Sequence, residues 1–376
     1  MVIFVILSAN RKKISFMRKQ KLHRILLLRT DRIGDVVLTT PVVSILRNYF
    51  PGVQMTFMAN SYTKPLLACH RHINHIICYD PKGKHKGLLG HFKLAKEIKK
   101  ANFDAAIFFY PRPWLALVVR LASIPLRIGH GYRWYSFLFN RRIFEHRKSG
   151  HKHELIHNLS LLKPLIGDAA TDIRFEFDIP ENVLQKRENL FKTKGVRENN
   201  YIILHPGNGG SAPNLSLTQY QFIVRHLLKK TKLQIILTGA GEESSFVNEI
   251  IEPFKSLNLF NLAGKLTMQM LMAVIADARI FIATSTGPLH IANAFGIPII
   301  GFYCPSKPCA PDRWGPFFQQ DWVLTPDVIP CDHCDPGRCP NSNCLEKIPA
   351  KSLKEIIDRR INNLQSTSYN ESTSNS

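Results

Sequence analysis

The chain has 376 residues, of which 45% are hydrophobic, and it carries 50 lysines and arginines against 28 acids. This length accommodates two domains of ordinary size, and the hydrophobic content excludes a globally disordered protein. The formal charge of +22 predicts a surface that attracts nucleic acid, phosphorylated substrates or an anionic membrane, unless it is only a solvated basic surface.

The chain opens with the apolar run "MVIFVILSA", which is followed by "NRKK". The run is shorter than the roughly 18 to 20 residues of a membrane-spanning helix. A secretory signal would carry its positive charges before the apolar run. We therefore expect 1–21 to be an N-terminal extension, with translation starting at Met17. The predicted location is the cytoplasm, with peripheral contact at the inner face of the cytoplasmic membrane.

Short apolar strands alternate with helices along the rest of the chain. The first series contains the strands "ILLLR" (25–29), "VQMTFMA" (53–59), "HIICY" (75–79) and "DAAIFFY" (104–110). The second contains "YIILHPG" (201–207), "LQIILTGA" (233–240), "RIFIAT" (279–284) and "IPIIGFY" (297–303). Continuous apolar strands that alternate with helices predict a parallel sheet covered on both faces.

Two such series predict two α/β domains with a polar stretch between them. We place the first domain at 22–170 and the second at 171–350. A helix is predicted at 351–365, and the polar tail 366–376 is predicted to be disordered.

The stretch "FIATSTGPLHIANAFGIP" (281–298) places hydroxyls at the end of a strand and at the start of a helix. Thr284, Ser285 and Thr286 precede Gly287. Helix N-termini at the carboxyl ends of parallel strands suit phosphate, and a glycine lets an anion approach the backbone. The simpler alternative is a hydroxyl cap on the helix.

The first predicted strand ends in a similar turn, "RTDRIGD", which contains Arg32, Gly34 and Asp35. A carboxylate at a helix N-terminus is stabilised as an anion, so Asp35 is placed where a base could be held. Here too the alternative is a cap.

Four cysteines follow one another in "CDHCDPGRCPNSNC": Cys331, Cys334, Cys339 and Cys344. Four thiolates at this spacing could surround a structural zinc ion, whereas two disulfides would suit a secreted protein better. Reduced cysteines remain the third interpretation.

Residues 153–157 read "HELIH", the H-E-x-x-H pattern of zinc peptidases. The extended pattern needs a third histidine shortly afterwards, and "NLSLLKPLIGD" has none. A zinc peptidase is therefore disfavoured. A nucleic-acid partner is not expected either, because no nucleic-acid-binding motif accompanies the basic charge.

Several segments together resemble glycosyltransferase family 9, the ADP-heptose:lipopolysaccharide heptosyltransferases. They are "RTDRIGDVVLTTPVVSILRNYFPG", "HPGNGG", "ILTGAGEE", "NLAGKLTMQMLMAVIADARIFIATSTGPLHIANAFGIPIIGFYCPS" and the closing cysteines. The resemblance implies a GT-B fold, in which two Rossmann-like domains with parallel sheets face a central cleft. It implies that the acceptor binds the first domain, that the nucleotide sugar binds the second, and that the helix at 351–365 returns to the first domain.

The resemblance also implies roles for individual residues. Asp35 matches the proposed general base, and we assign Arg32 and Gly34 to contacts with the acceptor or a phosphate. The remaining matches concern the donor: His205, Gly207 and Asn208 for the diphosphate and sugar, Glu242 or Glu243 for the ribose, and Thr286, Gly287 and His290 for the diphosphate and sugar.

Two departures from the family pattern concern the donor. Ser285 stands where the family usually has an aspartate that contacts the donor sugar, and 208–224 lacks the lysine often found there. Two alternatives therefore stay open: a glycosyltransferase with another donor sugar, and a non-catalytic binder of sugar nucleotides.

The family activity is an inverting transfer that requires neither a metal ion nor a cofactor. Its chemistry needs a base for the acceptor hydroxyl and positive potential for the departing diphosphate. The expected partners are a nucleotide sugar, here ADP-heptose, and a lipopolysaccharide-core or other glycolipid acceptor. Basic runs such as "KGKHKG" would suit a phosphorylated lipid at a membrane, although a solvated loop explains them equally.

Overall fold

The computed structural model describes residues 22–147, 152–168, 172–210, 212–307, 309–328 and 343–374. They divide into two compact units. The first comprises the described residues up to Arg147 together with Glu154–Asp178, and the second comprises 152–153 and the described residues from Ile179 onward. The predicted extension at 1–21 and Cys331, Cys334 and Cys339 lie outside the described residues.

The first unit contains a six-stranded parallel sheet in the order β3-β2-β1-β4-β5-β6. Its strands are β1 (Arg24–Leu28), β2 (Gln54–Ala59), β3 (His75–Cys78), β4 (Ala105–Phe108), β5 (Leu126–His130) and β6 (Arg141–Ile143). Its helices are α1 (Ile33–Val37), α2 (Pro41–Tyr49), α3 (Lys64–Leu67), α4 (Gly87–Lys100), α5 (Pro113–Leu121), α6 (Glu154–Ser160) and α7 (Lys163–Ile166).

The second unit repeats this topology, with the parallel order β9-β8-β7-β10-β11-β12. Its strands are β7 (Tyr201–His205), β8 (Gln234–Leu237), β9 (Leu259–Asn261), β10 (Ile280–Thr284), β11 (Ile299–Phe302) and β12 (Val323–Leu324). Its helices are α8 (Glu181–Lys194), α9 (Leu217–Lys230), α10 (Ser244–Ile251), α11 (Met268–Ala276), α12 (Gly287–Ala294), α13 (Pro311–Trp314) and α14 (Ala350–Ser374).

The central strands of both sheets are buried on both faces, as their continuous apolar sequences predicted. Four of the five residues of β1 and all five of β7 and β10 are buried. Helices α4 and α5 cover one face of the first sheet with a core that includes Leu94, Ile98 and Val119. The expected class, two Rossmann-like α/β domains with parallel sheets, is therefore confirmed.

The division of the chain differs from the predicted boundary at 170. Residues 176–178 belong to the first unit, because they pair with its 69–71 segment. Asp178 N donates to Cys69 O at 2.7 Å, and the side chains of Arg71 and Asp178 form an ion pair at 2.7 Å. The polar stretch that follows contains the 14-residue helix α8.

The last helix belongs to the second unit, whereas the family resemblance implied a return to the first. Leu353, Ile356, Ile357 and Ile361 are buried in the same core as β7 and α9. The helical backbone continues to Ser374, where a disordered tail was expected from 366. Among the described residues, no helix combines the length and the apolar character that a membrane crossing requires.

Candidate functional site

The predicted turns lie at equivalent places in the two sheets. In the order 3-2-1-4-5-6 the direction of the crossovers reverses between the first and fourth strands, and ligands bind beyond the carboxyl ends of strands at such a point. In the first unit this point lies between β1 and β4, where Leu28 is in register with Phe108. In the second unit it lies between β7 and β10, where His205 is in register with Ala283.

Arg29, the residue after β1, is the centre of an ionic cluster in the first unit. Its side chain is only 1% exposed and is surrounded by three carboxylates. Its Nε donates to Asp31 Oδ1 at 2.7 Å, and its Nη2 donates to Asp35 Oδ1. Its Nη1 donates to Glu154 Oε1 at 3.1 Å. The predicted base is therefore fixed by a buried guanidinium.

Helix α6 completes this cluster from a distant part of the chain. Arg147 donates to Glu154 Oε1 at 2.9 Å and to Asn158 Oδ1 at 3.2 Å. The Asn158 amide nitrogen donates to Leu38 O just beyond α1, at 3.1 Å. The turn that carries Asp35 is thus supported by two arginines and by a helix more than a hundred residues later.

The cluster changes the charge states of its members. Burial, together with the negative charge of Asp35, raises the pKa of Asp31 to about 7 despite its ion pair with Arg29. Burial by itself would lower the pKa of Arg29, but the carboxylates of Asp31, Asp35 and Glu154 raise it above its ordinary value. Arg29 therefore stays charged, and Asp31 is the carboxyl that takes up a proton near neutral pH.

The other two residues predicted at this turn are close to Asp35 in the chain but have different environments. Arg32 is exposed at the N-cap position of α1, and its side chain does not cap the helix. Gly34 is buried in the first turn of α1. Asp35 itself keeps 14% of its side chain exposed, so it is within reach of a ligand.

The second unit brings the "HPGNGG" loop to the end of β7. His205 is buried, its Nδ1 lies 2.8 Å from Thr238 Oγ1, and burial lowers its pKa to about 4. The backbone of Gly209 and Gly210 has positive φ, which glycine adopts without strain. Asn208 closes the loop, since its amide nitrogen donates to Ala212 O at 2.8 Å and its amide oxygen accepts from Gly210 N at 2.9 Å.

Glu243 holds this loop against the turn after β8. Its carboxylate accepts from Gly209 N at 3.1 Å and from Ala240 N at 2.8 Å. A Cβ atom at position 207 would overlap this carboxylate, which explains the glycine there. Glu242 is exposed, so the two acids that the sequence could not distinguish have different environments.

The turn after β10 supplies the start of α12. Thr286 is the N-cap residue, but its side chain makes no capping bond, so the simple cap interpretation does not describe it. Gly287 opens the helix. Ser285 is half-buried, and Ser285 N donates to Phe302 O at 3.1 Å. His290 is buried, its Nδ1 has no hydrogen-bond partner among the described residues, and burial followed by the charge of His153 lowers its pKa to about 3.

The H-E-x-x-H residues have three separate environments. His153 Nε2 donates to Gly315 O at 2.9 Å, Glu154 pairs with the two arginines, and His157 Nδ1 lies 2.7 Å from Glu145. Within the described ranges, no group of three or more His, Cys, Asp or Glu side chains is arranged to hold a metal ion. Cys344, the one described member of the cysteine cluster, is buried in the core of the second unit.

Sequence reasoning identified Asp35 but not the residues that hold it. The sequence places Arg29 at the end of a strand, and Glu154 stands out only as part of a peptidase pattern. The charge of Glu154 in a helix of mostly apolar and amide residues was the available signal. In the second unit, the exposed Lys265 and Lys307 follow β9 and β11 at the same sheet edge as the glycine loop.

The chain is similar to several known proteins and to one family model. Residues 91–344 match the model of glycosyltransferase family 9 (heptosyltransferase). A putative glycosyltransferase of Haemophilus influenzae is 29% identical over 93% of this chain and 100% of that protein. Lipopolysaccharide heptosyltransferase 3 of Escherichia coli is 26% identical over 85% of this chain and 93% of that protein. The solved structure of the Escherichia coli ADP-heptose heptosyltransferase II superposes with a TM-score of 0.70 at 19% identity, covering 92% of this chain and 99% of that one.

We predict that Glu154→Gln lowers the free energy of unfolding by about 3 kcal/mol, because it removes one partner from a buried ion pair. Glu97→Gln is the matched control, since the Glu97–Lys84 pair is about half exposed on both sides. This control should change stability by less than about 0.5 kcal/mol. Urea unfolding of the two variants checks the prediction, and equal effects would contradict it.

The raised pKa of Asp31 predicts a pH dependence of stability. The unfolded chain releases this proton near pH 3.8, the ordinary pKa of an aspartate, whereas the folded protein holds it until about pH 7. The proton on Asp31 therefore stabilises the fold fully below pH 3.8, and this contribution is lost as the pH rises to about 7. Asp31→Asn should flatten this part of the curve of melting temperature against pH. An unchanged slope would show that Asp31 does not titrate there.

Proposed function

The chain belongs to glycosyltransferase family 9, the heptosyltransferase family, and we propose that it moves a heptose from ADP-heptose to a lipopolysaccharide-core acceptor with inversion and without a metal ion. It is a glycosyltransferase of the lipopolysaccharide heptosyltransferase type. The proposal of an inverting, metal-independent transfer rests on the position of Asp35. This carboxylate stands beyond β1 at the switch point of the first sheet, is fixed by Arg29 and keeps an exposed surface.

In the proposed reaction, Asp35 takes the proton from an acceptor hydroxyl as that oxygen attacks the anomeric carbon of the donor. The new carbon–oxygen bond forms as the bond to the diphosphate breaks on the opposite face, which inverts the configuration. General-base help of this kind accelerates a reaction by roughly 10² to 10⁴. Arg29 is a positioning residue here, because its guanidinium holds the carboxylate in one orientation.

The departing diphosphate is assigned to the second unit. Because the Thr286 side chain does not cap α12, the N–H groups of Gly287 and Leu289 in the first turn are available to a phosphate, whereas Pro288 has none. The loop of Gly207 and Asn208 lies at the end of the neighbouring strand, and Lys265 and Lys307 add positive charge at the same edge. These groups supply the positive potential that a metal ion provides in other transferases.

The ribose contact is assigned to Glu242 rather than Glu243. Both Glu243 oxygens already accept backbone N–H groups, and losing these bonds would release the glycine loop. Glu242 is exposed next to that loop and can accept hydrogen bonds from ribose hydroxyls. We also assign a position near the donor sugar to Ser285 and His290.

The relatives support the donor and the acceptor. One is called lipopolysaccharide heptosyltransferase 3 and another ADP-heptose heptosyltransferase II. The Ser285 hydroxyl is shorter than the usual aspartate and carries no charge, so a different sugar or a non-catalytic sugar-nucleotide binder is the rival to be tested. An acceptor of the lipopolysaccharide type would also bring the protein into peripheral contact with a membrane.

We expect Asp35→Asn to lower kcat by roughly 10² to 10⁴, because asparagine keeps the size of the side chain but cannot take the proton. The donor Kd should stay the same, and the melting temperature should be checked in parallel. Asp80→Asn is the control, because Asp80 is exposed and its carboxylate accepts hydrogen bonds from backbone N–H groups of its own loop.

Both variants are to be assayed in buffer that contains EDTA. Normal turnover by Asp35→Asn would remove this residue from the catalytic role. Loss of wild-type transfer in EDTA, restored by Mg²⁺ or Mn²⁺, would contradict the metal-independent reaction.

Ser285→Asp tests the donor. If ADP-heptose is the native donor, the restored carboxylate should increase kcat/KM with it by about tenfold, the effect of one charge-assisted hydrogen bond. Transfer assays give kcat/KM, and calorimetric titration of wild type and variant with ADP-heptose, ADP-glucose and a UDP-sugar gives the donor affinities. Stronger binding of another nucleotide sugar by the wild type, lost in Ser285→Asp, would identify a different donor. Donor binding without transfer in both proteins would favour the non-catalytic binder.

A further inference from the structure

We propose that the first unit docks on an anionic lipid bilayer through an exposed surface at the carboxyl edge of its sheet. We call this surface the apolar edge and define it by Leu88, Leu89, Phe92, Trp114, Trp134 and Phe137. The proposal rests on the proposed function, because it names the surface that would bring a lipid-linked acceptor to Asp35.

Exposed apolar side chains are distributed very unevenly between the units. Among the described residues, eleven of the thirteen large hydrophobic side chains that are exposed belong to the first unit. The second unit has only Leu257 and Phe318 in this set. A soluble surface has isolated exposed apolar residues, whereas a concentration of them marks an interaction site.

The members of the apolar edge follow the carboxyl ends of three strands. Leu88 and Leu89 lie in the first turn of α4 after β3, and Trp114 lies in the first turn of α5 after β4. Trp134 and Phe137 follow β5. In a parallel sheet the start of each of these connections lies at the carboxyl edge, which is the edge where Asp35 follows β1.

Contacts between these connections show that they are neighbours. The rings of His91 in α4 and Trp114 in α5 are stacked with their centroids 5.4 Å apart. Tyr135 and Phe139, which flank Phe137, are buried in the same core as α4 and α5. The exposed side chains therefore cover adjacent parts of one surface.

Helix α4 is apolar on two faces, which a soluble helix does not require. Leu94, Ala95 and Ile98 point into the core, while Leu89 and Phe92 are 78% and 52% exposed. Trp134 is 79% exposed. Tryptophan at this exposure is typical of the interface between water and lipid, where an apolar ring with a polar N–H group is stable.

The charges around the apolar edge identify an anionic surface as the partner. The same connections carry the cations Lys82, Lys86, Arg112 and Arg133, whereas Lys84 is paired with Glu97. The nearby Asp80 carboxylate accepts from the backbone amides of its own loop. Apolar side chains surrounded by cations bind bilayers with acidic headgroups, because burial of apolar surface and electrostatic attraction both contribute.

The apolar edge is continuous with the ionic cluster. Arg112 Nε lies 3.4 Å from Thr30 Oγ1, and Thr30 adjoins both Arg29 and Asp31. Tyr62, which is half exposed, donates to Asp31 O at 2.6 Å from the neighbouring connection. A bilayer on this edge would therefore hold headgroups beside the turn that carries Asp35.

Co-sedimentation of the full chain with vesicles tests the proposal. The vesicles are phosphatidylcholine alone, or phosphatidylcholine with about 30% phosphatidylglycerol, a charged surface that gains affinity with each nearby lysine. We expect binding to the charged vesicles and at least about tenfold weaker binding to the neutral ones. Leu89→Ser combined with Trp134→Ala should weaken binding to the charged vesicles by about tenfold or more. Leu257→Ser, a change at the most exposed apolar residue of the second unit, should leave binding unchanged.

Charge reversal gives a second, independent pair of variants that does not alter apolar packing. Lys82→Glu with Lys86→Glu should weaken binding about tenfold or more, since each lysine contributes near an anionic surface. Lys229→Glu with Lys230→Glu, at the exposed end of α9, is the control. An equal loss of vesicle binding in both pairs of variants would show that the whole basic surface attracts the vesicles nonspecifically, and it would overturn the proposal.

Two further outcomes would also overturn it. One is a wild type that does not bind charged vesicles, and the other is sedimentation velocity showing a dimer that Leu89→Ser with Trp134→Ala dissociates. The vesicle assay contains neither donor nor acceptor, so its failure leaves the transferase proposal intact. A protein that binds vesicles but transfers no sugar would instead refute the transferase.

Discussion

The buried guanidinium of Arg29 is the interaction on which the first unit's site depends. Three carboxylates and the carbonyl of Phe109 surround it, and they come from the end of β1, from α1, from β4 and from α6. A buried charge is tolerated only when it is paired and fully hydrogen-bonded. The same pairing that makes the arginine tolerable inside the unit therefore fixes Asp35 in place.

The second unit has the same topology but different groups at its switch point. Its switch point carries no buried ion cluster of this kind among the described residues; it has a glycine loop held by Glu243 and a helix whose first turn lacks a side-chain cap. Backbone amides at such a place attract phosphate oxygens. Two copies of one strand order thus present a carboxylate in one unit and a set of hydrogen-bond donors in the other, and the proposed reaction uses both.

The apolar edge lies on the same side of the first sheet as Asp35, the proposed base for the acceptor. Its aromatic and leucine side chains follow β3, β4 and β5, while Asp35 follows β1 of the same sheet. Parallel strands place all of these residues at one edge. The surface proposed to bind lipid and the proposed base are therefore neighbours for a reason of topology.

The sequence alone determined the class of fold, because the continuous apolar strands such as "ILLLR" and "YIILH" can be buried only in parallel sheets covered by helices. It also located Asp35 and the 284–287 turn, since these lie at strand ends. It could not determine what holds Asp35, because Glu154 is 119 positions from Asp35 and only packing brings it to Arg29. The sequence did not reveal the short strands β5 and β6, because polar residues interrupt their apolar pattern. It also misplaced α14, because tertiary contacts decide which core an amphipathic helix packs against.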